Sequence, residues 1–455
     1  MSTSSQGALA LPPSLSALPS ARGEQSHRTA VLAFLGAHAA LGAILFVFEA
    51  LATAHALVAL LVALGLALGR RSPAMASYAV VYLAGSELIW RMTGARVFWE
   101  FGKYSICLVT IVLILRFRLR STLAPLAVVY LFLLAPAAAV TIGAYGFSDL
   151  TRQALSSSLS GPVTLALLVF YFSGIDSRWL RLERLLLAMM APMVTALAFI
   201  TLNVLTTARI QFNAHSNFAT SGGYGPNQTS AVVGLAALLA LLMAFHTRDR
   251  QLQLLYLVFT VGFLISTILT FSRGGVFNFV VCAVIWSVHY LQSARLRRAL
   301  LVAGCLLLIA GAGLLPRINE WTQGSLSDRY SSLDTTGRSR LASADLHLFR
   351  THLVLGVGAG RSAEERKKLI MRRIASHTEY TRLLAEHGIF GLAALLVMLA
   401  MVLLAYLRAP NAVTRGWVAG TAGWTFASMA HVSMRIALIS LLFALATLRW
   451  PREGS

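Results

Sequence analysis

The sequence predicts an all-α polytopic membrane protein with about twelve transmembrane helices, within an even-numbered range of roughly twelve to fourteen. Three observations predict it. Hydrophobic residues fill 57% of the 455 positions and charged residues only 12%, whereas soluble domains hold about half apolar and roughly a quarter charged residues. The mean hydropathy is +0.72. The apolar residues gather in runs that approach the roughly 17–25 residues needed to cross a bilayer, separated by short polar links. Helices are the expected spanning element, since each satisfies its own backbone hydrogen bonds.

The first 27 residues, rich in Ser, Ala and Pro, predict a disordered cytoplasmic tail. They do not predict a cleaved signal peptide, because the apolar run starts late and no small-residue cleavage site closes it. Apolar runs follow near 29–50, 55–69, 76–90, 104–115, 122–145, 161–175, 185–205, 229–246, 251–271, 274–292 and 299–315, then near 389–407, 414–430 and 434–449. The runs at 55–69 and 104–115 are short for a crossing, so twelve full spans remain if both are partial. Alternate links carry Arg70/Arg71, Arg116/Arg118/Arg120, Arg178/Arg181/Arg184, Arg248/Arg250, Arg295/Arg297/Arg298, Arg408/Arg415 and Arg449/Arg452. Arginine in alternate links assigns them, and both termini, to the cytoplasm. The membrane regions are thus 28–315 and 389–450, with 451–455 a short cytoplasmic tail.

The same parity puts residues 316–388 outside, as the longest link by far. Long links in compact proteins usually carry function. This one predicts helices: Leu341, Leu348 and Phe349 recur at helical spacing from Arg338 to Leu353. The turn Gly356-Val-Gly-Ala-Gly360 ends that helix. Ser362-Ala-Glu-Glu365 then has the pattern of a capping box, opening a basic amphipathic helix with Lys367, Lys368, Arg372 and Arg373 that suits a membrane surface or phosphates on a substrate.

The formal net charge of +21 would suggest nucleic acid in a soluble chain. Here the arginines sit in links, so the charge reports topology and no nucleic-acid partner is expected. Cys107, Cys282 and Cys305 all lie in apolar runs, which argues against a disulfide framework. No Asp-x-Asp pair and no His or carboxylate set at metal-ligand spacing occurs, and no cofactor is expected.

Several outward links hold arginine against the topological rule: Arg91, Arg96, Arg152, Arg209 and Arg273. An anionic ligand at that face is the simplest reason. Glu87 lies four residues before Arg91, so those two could instead pair with each other. Phe271-Ser-Arg-Gly-Gly275 combines a phosphate-gripping guanidinium with glycines that let backbone approach, though a tight interhelical turn would look alike. Thr336-Gly-Arg338-Ser-Arg340 places Arg338 and Arg340 in the first turn of a helix, where a compensating anion would help and a solvated face would also serve. Ser376-His-Thr-Glu379 reads as a second capping box with His377 in its first turn, where the helix dipole favours neutral imidazole able to accept a proton. A polar helix start accounts for the same residues. His431 and Arg435, four apart near the outer face, could line a site.

Together these motifs resemble the O-antigen ligase family: Ser-Arg-Gly-Gly at the outer face, Thr-Gly-Arg338 in the long loop, Leu-Gly-Val-Gly-Ala-Gly, then His377-Thr378, nine residues, Gly388, Ile389, Phe390, Gly391. The resemblance runs from Gly225-Pro-Asn-Gln to Gly391. Thr378 stands where the family more often shows Asn, Ser or Gln. The resemblance implies a GT-C-like fold and a metal-independent, inverting glycosyltransferase of the bacterial inner membrane with its site facing the periplasm. The donor would be O-antigen on undecaprenyl pyrophosphate and the acceptor lipid A–core. It implies His377 as the essential base and Arg273 and Arg338 as pyrophosphate-binding arginines, with Arg209 a weaker match. Arg91, Arg96, Arg152, Arg340 and Tyr380 are further candidates. The same superfamily holds O-antigen polymerases and protein O-oligosaccharyltransferases. A transporter would also show many spans, but with internal repeats that this chain lacks.

Overall fold

The structure, a computed structural model, describes residues 21–69, 73–119, 121–213, 215–291, 294–332, 337–371, 374 and 376–451. The expected tail up to residue 20, and Arg70, Arg71, Arg120, Thr336, Arg372, Arg373 and Arg452, lie outside the described residues.

Every apolar run corresponds to one helix. They are α1 (Ala21–Val47), α2 (Leu51–Leu68), α3 (Pro73–Met92), α4 (Phe101–Phe117), α5 (Ala124–Tyr145), α6 (Asp149–Phe172), α7 (Leu182–Thr206), α8 (Pro226–His246), α9 (Arg250–Leu269), α10 (Arg273–Tyr290) and α11 (Ala294–Trp321). The long segment adds α12 (Ser325–Ser331), α13 (Arg338–Thr351) and α14 (Ser362–Ile370), and the chain closes with α15 (Glu379–Arg408), α16 (Ala412–Met429) and α17 (Ala437–Ala446). No strand forms among the described residues. The chain is an all-α polytopic membrane protein.

Nine helices among the described residues are long and apolar enough to cross a membrane. One is α2, because the helix begins at Leu51, ahead of the run read from 55. α4 is not among them: it has 17 residues and carries the buried Lys103 in its first turn. α17 is only 10 residues long and every one is buried, so it is core rather than lipid-facing surface. α8 is nearly as enclosed, with 89% of its apolar window buried, whereas the window of α11 is 0% buried and rides outside the bundle. Helix α1 begins at Ala21, inside the stretch expected to be disordered.

The links alternate between two ends. At one end Arg28 pairs with Asp249 at 3.4 Å, and Arg449 with Asp176 at 3.6 Å, so both described termini lie there. At the other end the Arg96 amide donates to Thr53 Oγ1 at 2.9 Å and the Arg361 guanidinium covers the Tyr145 ring at 5.1 Å. This second end carries the long segment.

Candidate active site

Ser272 precedes α10 and Arg273 opens it, directly after Phe271, whose backbone is left-handed at φ 56°. The two glycines that follow allow close packing. A Cβ on Gly274 would sit 2.5 Å from the His431 ring, and one on Gly275 would strike the Ser230 backbone of α8. Ser230 Oγ donates to the Ser272 carbonyl at 2.8 Å and accepts from the Gly275 amide at 3.1 Å. Glycine is thus required by helix contact, and Arg273 is left at the helix start, donating to the Ser332 carbonyl.

Two further arginines converge there. Arg329, buried at 3% exposure, donates from Nε to the Phe271 carbonyl at 2.9 Å. Arg338 opens α13 and donates to Asn227 Oδ1 at 3.2 Å, the same oxygen that accepts from Ser272 Oγ at 2.8 Å. Burial depresses the Arg338 pKa, and the neighbouring charges of Arg329 and Arg273 lower it further. Like charge concentrated in a partly buried place is an arrangement an anion would relieve.

His377 reaches this cluster by a different route from the one the sequence suggests. Neither capping box forms. The N-cap of α15 is Thr378, whose hydroxyl accepts from the Tyr380 amide, so His377 lies just ahead of the helix rather than in its first turn. Ser376 is free of that role because its hydroxyl accepts from Arg366 Nη1 at 2.8 Å and donates to Asp345 Oδ2 at 3.1 Å. Ser362 does not cap α14 either; its hydroxyl donates to Glu386 Oε1 at 2.7 Å. In both motifs a buried charge recruits the serine more strongly than a helix end does. The imidazole of His377 is nonetheless held neutral, its pKa lowered to about 4 by burial first and then by the charges of Arg338, Arg435 and Arg366.

The segment bearing His377 is anchored by a buried ion pair. Arg366 of α14 and Asp345 of α13 are 0% and 1% exposed. Arg366 also donates to the Ile374 carbonyl at 2.6 Å, and Thr381 donates to Asp345 at 2.9 Å. Gly356-Val-Gly-Ala-Gly360 proves to be a docking strip rather than a simple helix stop. The Val357 and Gly358 amides donate to the carbonyls of Ala385 and Glu386 at 2.9 and 3.1 Å, and side chains at Gly356 or Gly360 would collide with the backbones of Glu386 and Ala154.

The remaining arginines named from the sequence are paired differently or exposed. Arg91 is 6% exposed and bound to Glu87 at 2.5 Å, to Glu100 at 3.6 Å and to the Tyr224 hydroxyl at 3.0 Å, so the internal pairing holds it. Arg152 is an exposed partner of Asp149, and Arg96, Arg209 and Arg340 are exposed. Tyr380 donates to the Phe426 carbonyl at 2.8 Å, tying α15 to α16. Lys367 and Lys368 are exposed on α14, with Lys368 on Glu365 at 2.6 Å. Arg329 and Arg366 were not singled out from the sequence. No motif marks Arg329. Arg366 was hidden among basic neighbours, although its four-residue spacing from Ser362 marks the inward face of α14.

Residues 258–396 match the family model described as O-antigen ligase, a segment running from within α9 to within α15. It contains Arg273, Arg338 and His377. No curated protein matches the chain.

Proposed function

We propose, from the match of residues 258–396 of this membrane protein to the O-antigen ligase family model, that it transfers O-antigen polysaccharide from undecaprenyl pyrophosphate to a sugar hydroxyl of lipid A–core at the periplasmic face of the inner membrane. The observation that carries this reading is the meeting of a neutral, partly buried imidazole with a group of guanidiniums.

The chemistry follows from these groups. The acceptor hydroxyl gives its proton to His377 as its oxygen attacks the anomeric carbon of the donor. The bond from that carbon to the pyrophosphate oxygen breaks on the opposite side, which inverts the configuration without a covalent intermediate. Negative charge grows on the leaving pyrophosphate, and Arg338 and Arg273 would meet it with forked N–H donors. General-base help of this kind contributes about 10²–10⁴-fold. Exposed Arg209, Arg340, Lys367 and Lys368 are suited to looser contact with charged substrate or lipid headgroups.

Purified protein given lipid-linked glycan and, separately, lipid A–core, a second lipid-linked glycan or a serine-containing peptide tests the reading. Transfer to lipid A–core that His377→Ala abolishes is expected. Transfer confined to either of the other acceptors would replace it with polymerase or protein-glycosylating activity.

A further inference from the structure

The turn between α16 and α17 lies beyond the segment that matches the family, yet it touches both parts of the site. Its residue His431 packs against Gly274, beside Arg273, and places Nε2 3.2 Å from Asn278 Oδ1 of α10. Four residues on, Arg435 Nη2 donates to the Ser376 carbonyl at 2.5 Å. Ser433, with a left-handed backbone at φ 58°, lies between them, and the Met434 amide donates to Glu379 Oε2 at 3.2 Å. The turn therefore grips the chain on both sides of His377: Arg435 holds the peptide before it, and Met434 holds the first residue of α15 after it.

We propose that Arg435 is a positioning residue for His377, fixing the imidazole's peptide through the Ser376 carbonyl while the Arg366–Asp345 pair holds the Ser376 side chain. The proposal rests on the reading of His377 as the base. The Ser376 side chain is clasped by α13 and α14, and its carbonyl by the α16–α17 turn, so the residue cannot rotate without breaking one set. Without Arg435 the carbonyl would lose its charge-assisted donor and keep only the longer contact from Ser433 Oγ at 3.5 Å, so the peptide that carries the histidine would be held more loosely. Displacement of a reacting group by about 1 Å costs on the order of a hundredfold in rate. The groups facing the imidazole electrostatically are Arg338 of α13, Arg366 of α14 and Arg435, while His431 lies close enough to feel the His377 charge. Arg435 accordingly has a second effect: its charge disfavours imidazolium.

Arg435→Met, Arg435→Gln and Arg435→Lys, compared with His377→Ala in the full-length protein, separate the possibilities. Arg435→Met is expected to lower kcat by roughly 10–100-fold with little change in the donor KM. Arg435→Gln keeps a donor for the carbonyl but loses the charge. It should retain more of kcat than Arg435→Met while moving the acidic limb of the kcat/KM profile to higher pH. Arg435→Lys keeps the charge and one donor, and should leave that limb in place with partial activity even if the methionine variant fails to fold. A rise in donor KM alone would make Arg435 a substrate-binding group and overturn the proposal. So would unchanged kcat and unchanged pH profile in Arg435→Gln and Arg435→Lys. Activity surviving in His377→Ala would instead remove the base reading beneath it.

Discussion

Asn227 accepts from Arg338 at 3.2 Å through the oxygen that also binds Ser272 at 2.8 Å. One carboxamide thus joins the start of α8 to the two arginine motifs, which lie far apart in the sequence. The bond uses one nitrogen of the Arg338 guanidinium.

Asn227→Asp should raise the donor KM by about tenfold, because a carboxylate beside Arg338 would satisfy the guanidinium with a charge-assisted bond and compete with pyrophosphate. Asn227→Leu should lower kcat more than it raises KM, since Arg338 would keep its charge but lose the partner that aligns it. Initial rates against donor concentration for both variants check this. Identical kinetics in the two would remove Asn227 from the site.

The pH dependence has a definite sign. His377 is neutral above its lowered pKa of about 4 and protonated below it. A base is competent only when neutral, so kcat/KM should stay level as pH falls through the ordinary histidine range near 6.5 and drop tenfold per pH unit below about 4. A pH–rate profile on short-exposure samples measures it. An acidic limb centred near the ordinary value would mean that neither burial nor the arginine charges hold the imidazole neutral in the working enzyme, and would count against the expectation.

The Arg366–Asp345 pair is almost wholly buried, and removing one partner of such a pair leaves an uncompensated charge that costs about 3–5 kcal/mol. Asp345→Asn and Arg366→Met should therefore each lower thermal stability in detergent and abolish transfer. The double variant Asp345→Leu/Arg366→Met should recover more stability than activity, because the buried charge is gone while Ser376 is still released. Equal recovery of both would show that the pair serves stability alone.

The helices were legible because hydrophobicity acts over long stretches and tolerates local error. Arg273, Arg338 and His377 were legible as motif residues. Their surroundings were not, because capping motifs such as Ser376-x-x-Glu379 describe competition for a hydroxyl only when nothing stronger is near. Buried Asp345 and Arg366 claim Ser376, while Arg382 and the Met434 amide claim Glu379. Arg91 shows the converse. Its outward position suggested an anion, and the structure supplies two carboxylates instead: Glu87, four residues before it, and Glu100, on the neighbouring link.

Chelation should leave transfer unchanged. Among the described residues no three His, Cys, Asp or Glu side chains gather in a way that could hold a metal ion, and the proposed counter-charge comes from guanidiniums. Rates with and without EDTA in metal-free buffer check this; loss of turnover that Mg²⁺ restores would move the leaving-group role from arginine to a cation carried by the substrate.

Gly388 interrupts α15 at φ 60°, ψ −138°, a backbone conformation open essentially to glycine alone. Its missing Cβ also matters, since one would lie 2.5 Å from the carbonyl oxygens of Leu353 and Val354. Those carbonyls belong to the stretch leading into the docked Gly356–Gly360 strip, and the Ile389 amide donates to the Leu353 carbonyl at 2.8 Å. The glycine therefore lets the part of α15 that follows His377 meet the rest of the helix at a fixed angle with the loop pressed against the joint. Gly388→Ala should cost about 1–3 kcal/mol from backbone strain alone, with the clash adding to it. Straightening α15 to relieve the strain would swing the His377 segment away from Arg338. Loss of activity is thus expected even in samples that remain folded, with thermal melting and transfer measured on the same preparation. Full activity at unaltered stability would show that the loop does not need the kink.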